Sequence, residues 1–338
     1  MLPPTFNDVL AAREFISQYL PTTPLMRIEK LSALLDCDYY AKCENFQPIG
    51  AFKVRGGVNI VGTASDEEKR SGLISASTGN HGQSIAYAGR LFDARVIIYA
   101  PANNVNESKM EAMRDLGAEV RLYGRDFDEA RLEAERVAEQ EGYRYVHSAN
   151  EPKLITGVGT IGLEIFENLP DVDVIICPAG GGSCASGNSI VAKQIKPGVR
   201  VIAVQSEGAP ALWNAYQTRT LDPHPRMETE HEGLATRVPF EMTNKLMWKL
   251  LDDFVLVTDE EINDAIRLLA RHAKQVAEGA GAASLAAAIK LRDQLQGKKV
   301  VGILTGGNLS LERFAAVCRG KNSPLINADQ RKVQNRER

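Results

Sequence analysis

One lysine in this chain stands where an amine can be made reactive. In Gln47-Pro48-Ile49-Gly50-Ala51-Phe52-Lys53-Val54-Arg55-Gly56-Gly57, Lys53 follows an apolar, glycine-flanked segment at the expected start of a helix. An ammonium held among apolar neighbours loses solvation, its pKa falls, and the neutral amine can attack a carbonyl or carry a Schiff base. Ordinary lysines on amphipathic helices also pack their stems and keep their heads in water. Other stretches must decide between the two.

Three polar turns follow β-branched runs. Leu73 to Ser75 leads into Ala76-Ser77-Thr78-Gly79-Asn80-His81-Gly82-Gln83 and then a helix expected over 84–91. Hydroxyl, amide and imidazole groups beside the free N–H groups of a helix start can seat a carboxylate, although a plain N-cap with a solvent-facing histidine has the same pattern. Val172 to Cys177 leads into Pro178-Ala179-Gly180-Gly181-Gly182-Ser183-Cys184-Ala185-Ser186-Gly187, with a helix expected near 189–195. Consecutive glycines let backbone amides close on a small dianion, and the helix start adds a favourable field. This is not a nucleotide P-loop, because Gly187 is followed by Asn188 rather than Lys. Val300 to Leu304 leads into Thr305-Gly306-Gly307-Asn308, repeating the order of strand, polar residue and glycines.

Other signatures fail on context. Gly157-Val158-Gly159-Thr160-Ile161-Gly162 fits the dinucleotide pattern, but Asn150-Glu151-Pro152-Lys153-Leu154 before it reads as a loop, with a helix expected at 163–169. A dinucleotide fingerprint follows directly on a strand, so these glycines read as close-packing residues. No Gly-x-Ser-x-Gly elbow occurs, and His231-Glu232 lacks the second histidine of a zinc protease.

The elements that must position these turns alternate along the chain. Strands are expected at 37–43, 73–75, 94–100, 118–123, 143–147, 172–177, 199–204, 254–258 and 299–304, with helical patterns between. That alternation predicts an α/β fold with largely parallel sheets buried on both faces, where ligands sit beyond the carboxyl ends of strands. Helices are expected over 6–20, 126–141 and 259–277, the last capped by Asp259, and a polar tail over 322–338 reads as disordered and too short for a regulatory domain.

The 338 residues are 44% hydrophobic and 25% charged, enough for a large core or two domains. Lys plus Arg at 40 against Asp plus Glu at 43 gives a net charge of −3, with no bias toward nucleic acid. Cys37, Cys43, Cys177, Cys184 and Cys318 form no Cys-x-x-Cys pair, so neither a disulfide framework nor a zinc site is expected. Asp8, Arg13 and Glu14 interrupt the N-terminal apolar residues, and no apolar run reaches the roughly 20 residues of a membrane span. A cytoplasmic protein without membrane contact is the expectation.

A lysine amine, a phosphate cradle without a nucleotide signature, and hydroxyl or amide groups at nearby strand ends are together what pyridoxal phosphate requires. With these motifs, the chain resembles the fold type II pyridoxal phosphate enzymes, specifically the threonine/serine dehydratase and serine racemase group. Lys109 through Gly117-Ala118-Glu119-Val120 and Glu278-Gly279-Ala280-Gly281 are similar too, and the likeness runs from about Thr23 to Arg319. It implies a fold like the tryptophan synthase β chain: two open, mostly parallel sheets with flanking helices. The large domain would hold residues 1–43 and 148–320 and the small domain 44–147, and the resemblance also suggests a homodimer.

The resemblance implies that Lys53 holds the cofactor and later moves the α-proton. Phe52 would flank the ring on one face, and Gly233 of Glu232-Gly233-Leu234 the other. Asn80 would bond the ring oxygen, while Ser77, Thr78 and His81 would surround the substrate carboxylate. Gly180, Gly181, Gly182 and Ser183, with the Cys184 amide, would hold the phosphate, and Thr305 would meet the ring nitrogen. Ser183 replaces a frequent fourth glycine.

A neutral hydroxyl at the ring nitrogen makes a weaker electron sink than a carboxylate partner would, which favours loss of a β-substituent over a long-lived carbanion. The implied reaction is elimination of water from a β-hydroxy amino acid such as L-threonine or L-serine, giving a 2-oxo acid and ammonia. Thr78 stands where the racemase has serine, opposite the lysine, which keeps a serine or hydroxyaspartate racemase as the alternative; a non-catalytic binder of the cofactor fits less well. The family's cation site would use Glu207 and the Ala211 carbonyl, but Trp213 occupies the second acid's place, so no metal is expected.

Overall fold

The computed structural model describes residues 2–103 and 105–320, and the expected polar tail lies outside them. Among the described residues, ten strands form two sheets: β1 (Leu25–Arg27), β2 (Asp38–Cys43), β3 (Leu73–Ala76), β4 (Val96–Ala100), β5 (Glu119–Leu122), β6 (Arg144–Tyr145), β7 (Val174–Pro178), β8 (Arg200–Ser206), β9 (Asp253–Val257) and β10 (Lys299–Leu304). The larger sheet has the order β1-β2-β10-β7-β8-β9, and the smaller β5-β4-β3-β6. Every pairing is parallel except β1 with β2. Helices pack on both sheets, which is why β7 in the larger and β4 in the smaller are buried throughout and read as continuous apolar runs.

Several expected boundaries move. The three residues of β1, just after Pro24, are too short to show a pattern. Pro152 occupies the first turn of a helix, Pro152–Asn168, instead of a loop, because a missing N–H costs nothing there. Gly157, Gly159 and Gly162 therefore lie inside this helix, and a Cβ at Gly157 would stand 2.5 Å from the Arg55 carbonyl oxygen. Gly157 thereby lets the Lys53–Gly62 helix approach closely, while Gly159 and Gly162 face Gly187 and Val191 on another helix. The expected helix over 259–277 is capped by Thr258, whose side chain accepts from the Glu261 N–H, not by Asp259. Its α-helical part ends at Leu268, a wider π turn follows over Leu269–Ala273, and Lys274 adopts a left-handed conformation. The first helix stops at Ile16 rather than at residue 20. Among the described residues no helix is long and apolar enough to cross a membrane.

The Lys53 helix is tied to the larger sheet by buried charges. The fork of Arg55 donates to Glu44 at 2.7 and 2.9 Å and to Glu164 at 2.7 and 2.9 Å. Lys42, at the end of β2, donates to Glu164 at 2.5 Å. Arg55, Lys42, Glu44 and Glu164 are all buried, so each charge depends on its partners. Burial alone would raise the Glu164 carboxyl, but hydrogen bonds and charge from Arg55, with Lys42, outweigh it and hold the pKa at about 2 against an ordinary 4.5.

Arg55→Ala is expected to destabilise the protein by about 3–5 kcal/mol, because Glu44 is left buried without its counter-charge and Glu164 keeps only Lys42 and Arg13; urea unfolding measures this, and a midpoint equal to wild type would exclude it. Because the Glu164 pKa is depressed on folding, its contribution is present above about pH 4.5 and fades as pH falls toward 2. The stability gap between wild type and Glu164→Gln should therefore narrow over that interval in acid unfolding curves.

Candidate active site

The carboxyl ends of β3, β7 and β10 and the start of the Lys53 helix open on one cavity of about 690 Å³. Its walls include Phe52, Lys53, residues 77–81, residues 180–184, Gly233 and Thr305, so all the catalytic, cofactor and substrate residues inferred from sequence meet here. Sheet geometry accounts for the convergence. Ala51 bridges to Gly306 and the Phe52 N–H donates to the Thr305 carbonyl at 2.9 Å, which fixes the lysine beside the end of β10.

Lys53 Nζ lies 3.2 Å from Ser183 Oγ and 5.3 Å from the centroid of the Phe52 ring. Burial lowers its pKa from 10.5 to about 8, with the nearby Cys184 thiol acting weakly in the other direction. About a tenth of such an amine is neutral at pH 7, far more than of an ordinary lysine, and the neutral form is what attacks an aldehyde.

Ser183 starts a helix, Ser183–Ile195, six residues earlier than its sequence suggested. The N–H groups of its first turn have no acceptor within the helix and face the cavity end of the glycine turn. Gly182 takes φ +88°, and a Cβ on Gly180 would stand 2.1 Å from the Gly233 carbonyl oxygen, so both positions exclude side chains. On the opposite side, Thr305 Oγ1 is buried without a hydrogen-bond partner. An amine, an anion cradle and an unsatisfied hydroxyl facing one space fit pyridoxal phosphate: the cradle suits its phosphate and the hydroxyl its ring nitrogen.

The turn after β3 departs from expectation in its side chains. Its helix begins at Asn80, earlier than expected. Ser77 Oγ accepts from the N–H groups of Gly79 at 3.1 Å and Gly82 at 2.8 Å, so this hydroxyl shapes the loop. Ser75 Oγ donates to the Val146 carbonyl at 2.6 Å and must therefore accept from His81 Nε2–H at 2.8 Å. His81 Nδ1 is then bare, buried and unpartnered. Burial, then the neighbouring Lys53 and His147, push the imidazole pKa down to about 3. A neutral ring with its only N–H engaged cannot donate to a carboxylate.

Two residues without an assigned role complete the wall. Asn80 Nδ2 donates to Glu278 Oε1, and Asn308 Nδ2 donates to Asn80 Oδ1, both at 2.7 Å. Burial raises the Glu278 carboxyl from 4.5 to about 7, with the Asn80 bond opposing the rise. Both stood in recognised glycine motifs, but nothing local in sequence links them to Asn80. Glu207 lies exposed, away from this cavity, and Trp213 Nε1–H donates to the Phe254 carbonyl at 3.0 Å. Among the described residues no three His, Cys, Asp or Glu side chains converge as a metal site.

This lysine, cradle and pair of sheets define a pyridoxal phosphate enzyme of fold type II. The family described as pyridoxal-phosphate dependent enzyme matches residues 16–306, and the chain belongs to that family, with pyridoxal 5'-phosphate as its cofactor. An L-threonine ammonia-lyase of Thermotoga maritima is 40% identical over 311 residues, covering 91% of this chain and 76% of that protein. Among solved structures, the processed form of threonine deaminase isoform 2 from Solanum lycopersicum superposes with a TM-score of 0.86 at 30% identity, covering 94% of this chain and 97% of the other. Maize serine racemase superposes with a TM-score of 0.88 at 27% identity, covering the whole of both chains.

Gly180→Ala is expected to strip the protein of cofactor, because the added Cβ collides with backbone. Gly198→Ala, where a Cβ meets nothing within 4 Å, serves as the control. Pyridoxal phosphate retained through gel filtration measures both, and equal retention would refute the close-approach argument.

Proposed function

We propose that the protein is a dehydratase, an ammonia-lyase acting on L-threonine or L-serine, which removes water from the β-hydroxy amino acid and releases a 2-oxo acid and ammonia. The observation that carries this reading is the pairing of a depressed-pKa lysine, Lys53, with a neutral hydroxyl, Thr305, across the cofactor cavity. The likeness to threonine ammonia-lyase and threonine deaminase supports it independently.

When bound, the cofactor supplies the electron sink that acidifies the α-C–H of the amino acid. Backbone N–H groups at the start of the Asn80–Leu91 helix hold and orient the carboxylate. Lys53 Nζ takes the α-proton, a task suited to an amine whose pKa lies near 8. Ser183 Oγ, 3.2 Å from that nitrogen, keeps it at the phosphate end of the cavity. Thr305 offers a hydroxyl and no negative charge, so charge does not accumulate long at the α-carbon, and the β-hydroxyl departs as water with the proton that Lys53 took up. Water then hydrolyses the released enamine to the 2-oxo acid and ammonia.

The division into a large domain, 1–43 and 148–320, and a small domain, 44–147, belongs to the same proposal; the six strands of one sheet fall in the first and the four of the other in the second. A cytoplasmic homodimer remains part of it, with light scattering as the check on assembly.

Racemisation is the second reading, favoured by Thr78, which lines the cavity along with Lys53, and by the likeness to maize serine racemase. A panel of L-threonine, L-serine, D-serine and 3-hydroxyaspartate, with 2-oxo acid and enantiomer both measured, separates the two. Lys53→Ala should abolish 2-oxo acid release, and borohydride should fix the cofactor to Lys53 in wild type. Near-normal turnover in the variant would sink the mechanism. In Thr78→Ala, elimination from an L-substrate should survive while any racemase activity drops; equal loss of both would assign Thr78 to binding.

A further inference from the structure

Three side chains from distant parts of the chain form a hydrogen-bonded line along one wall of the cavity, and its polarity is set by a backbone carbonyl. The carbonyl of Ile49, four residues before Lys53, can only accept, and Asn308 Nδ2 donates to it at 2.9 Å. That contact fixes which end of the Asn308 carboxamide is nitrogen. The same Nδ2 donates its other hydrogen to Asn80 Oδ1 at 2.7 Å, which fixes the Asn80 carboxamide in turn. Asn80 Nδ2 therefore faces Glu278 and donates one hydrogen to Oε1 at 2.7 Å. Reversing Asn80 would set its oxygen against the Glu278 oxygen and its N–H group against the Asn308 N–H.

Backbone holds both ends of the line. The Glu278 N–H donates to the Gly306 carbonyl at 3.1 Å, and the Gly307 N–H donates to the Gly50 carbonyl at 2.9 Å. Gly50 has φ +68°, and a Cβ there would stand 2.6 Å from Asn308 Oδ1, so the Asn308 amide is packed directly over the turn that delivers Lys53. A carboxamide nitrogen carries two hydrogens. One of those on Asn80 is committed to Glu278, and Asn80, Asn308 and Glu278 all line the cavity that holds Lys53 and Thr305.

We propose that Asn308 and Glu278 are positioning residues that lock the Asn80 carboxamide so that its second N–H is presented to the ring oxygen of pyridoxal phosphate. They act through Asn80 and need not touch substrate. The inference rests on the assignment of the cavity to that cofactor, and it holds whichever amino acid is the substrate.

Asn308→Asp is the sharpest test, since it keeps shape and replaces the donor by an acceptor. An aspartate facing the Ile49 carbonyl and Asn80 Oδ1 forces Asn80 to turn over and put its oxygen toward the cofactor. The visible absorbance of the holoenzyme, its pH titration and the cofactor dissociation constant are measured for wild type, Asn308→Asp, Glu278→Met and Glu278→Gln, with circular dichroism to establish folding. Asn308→Asp and Glu278→Met are expected to shift the midpoint of the visible pH titration and to weaken cofactor binding about tenfold or more, the scale of one lost buried hydrogen bond. Glu278→Gln still offers Asn80 an oxygen and is expected to restore much of the wild-type spectrum.

A folded Asn308→Asp protein with the wild-type titration and cofactor affinity overturns the proposal. So does a Glu278→Gln protein as impaired as Glu278→Met, since charge rather than orientation would then be at work. None of these readings needs substrate, so failure of wild type to deaminate any hydroxy amino acid would reject the dehydratase reading and leave this test standing.

Discussion

The Arg55 guanidinium, gripped by two buried carboxylates, is the constraint on which the site depends. It lies two residues beyond Lys53, inside the same helix, and its partners Glu44 and Glu164 belong to segments that pack with the larger sheet. Burying four charges is costly, and only complete mutual pairing makes it tolerable. The return is directional: a planar fork bound on two sides fixes the rotation of the helix as well as its distance. The amine of Lys53 thereby gains a fixed aim without a charged neighbour of its own, and its lowered pKa follows from enclosure rather than repulsion.

Around that fixed lysine the chain uses backbone where a surface site would use side chains. The glycine turn ends in the free N–H groups of a helix start, and across the cavity stands one buried, unpaired hydroxyl, that of Thr305. In the turn after β3, side chains also support the loop: Ser77 accepts two N–H bonds and His81 donates to Ser75. Preorganisation explains the preference, because amides held by a helix and a glycine turn lose little freedom when a ligand arrives.

Much of this could be read from the sequence because parallel strands buried on both faces give continuous β-branched runs, and the turns at their carboxyl ends are marked by glycine. Lys53, the turn 180–184 and Thr305 were legible for that reason. Helix starts at Asn80 and Ser183 were not, since Gly, Ser and Asn are weak helix formers and tertiary packing overrode their propensity. The direction of the His81 ring was hidden because it depends on Ser75 and Val146, partners that only the fold supplies. Glu278 and Asn308 sit 198 and 228 residues from Asn80 along the chain, beyond the reach of any local pattern.

The hydrogen-bond line that leaves the cavity through His81 ends on the Val146 carbonyl, by way of Ser75. A backbone carbonyl accepts a hydrogen bond but cannot take up a proton and pass it on. Along this path the protein is therefore an insulator, with no wire from the reacting carbon to the interior of the smaller sheet. A proton in the cavity has no exit along this path. The neutral imidazole thus closes this side of the cavity to proton traffic.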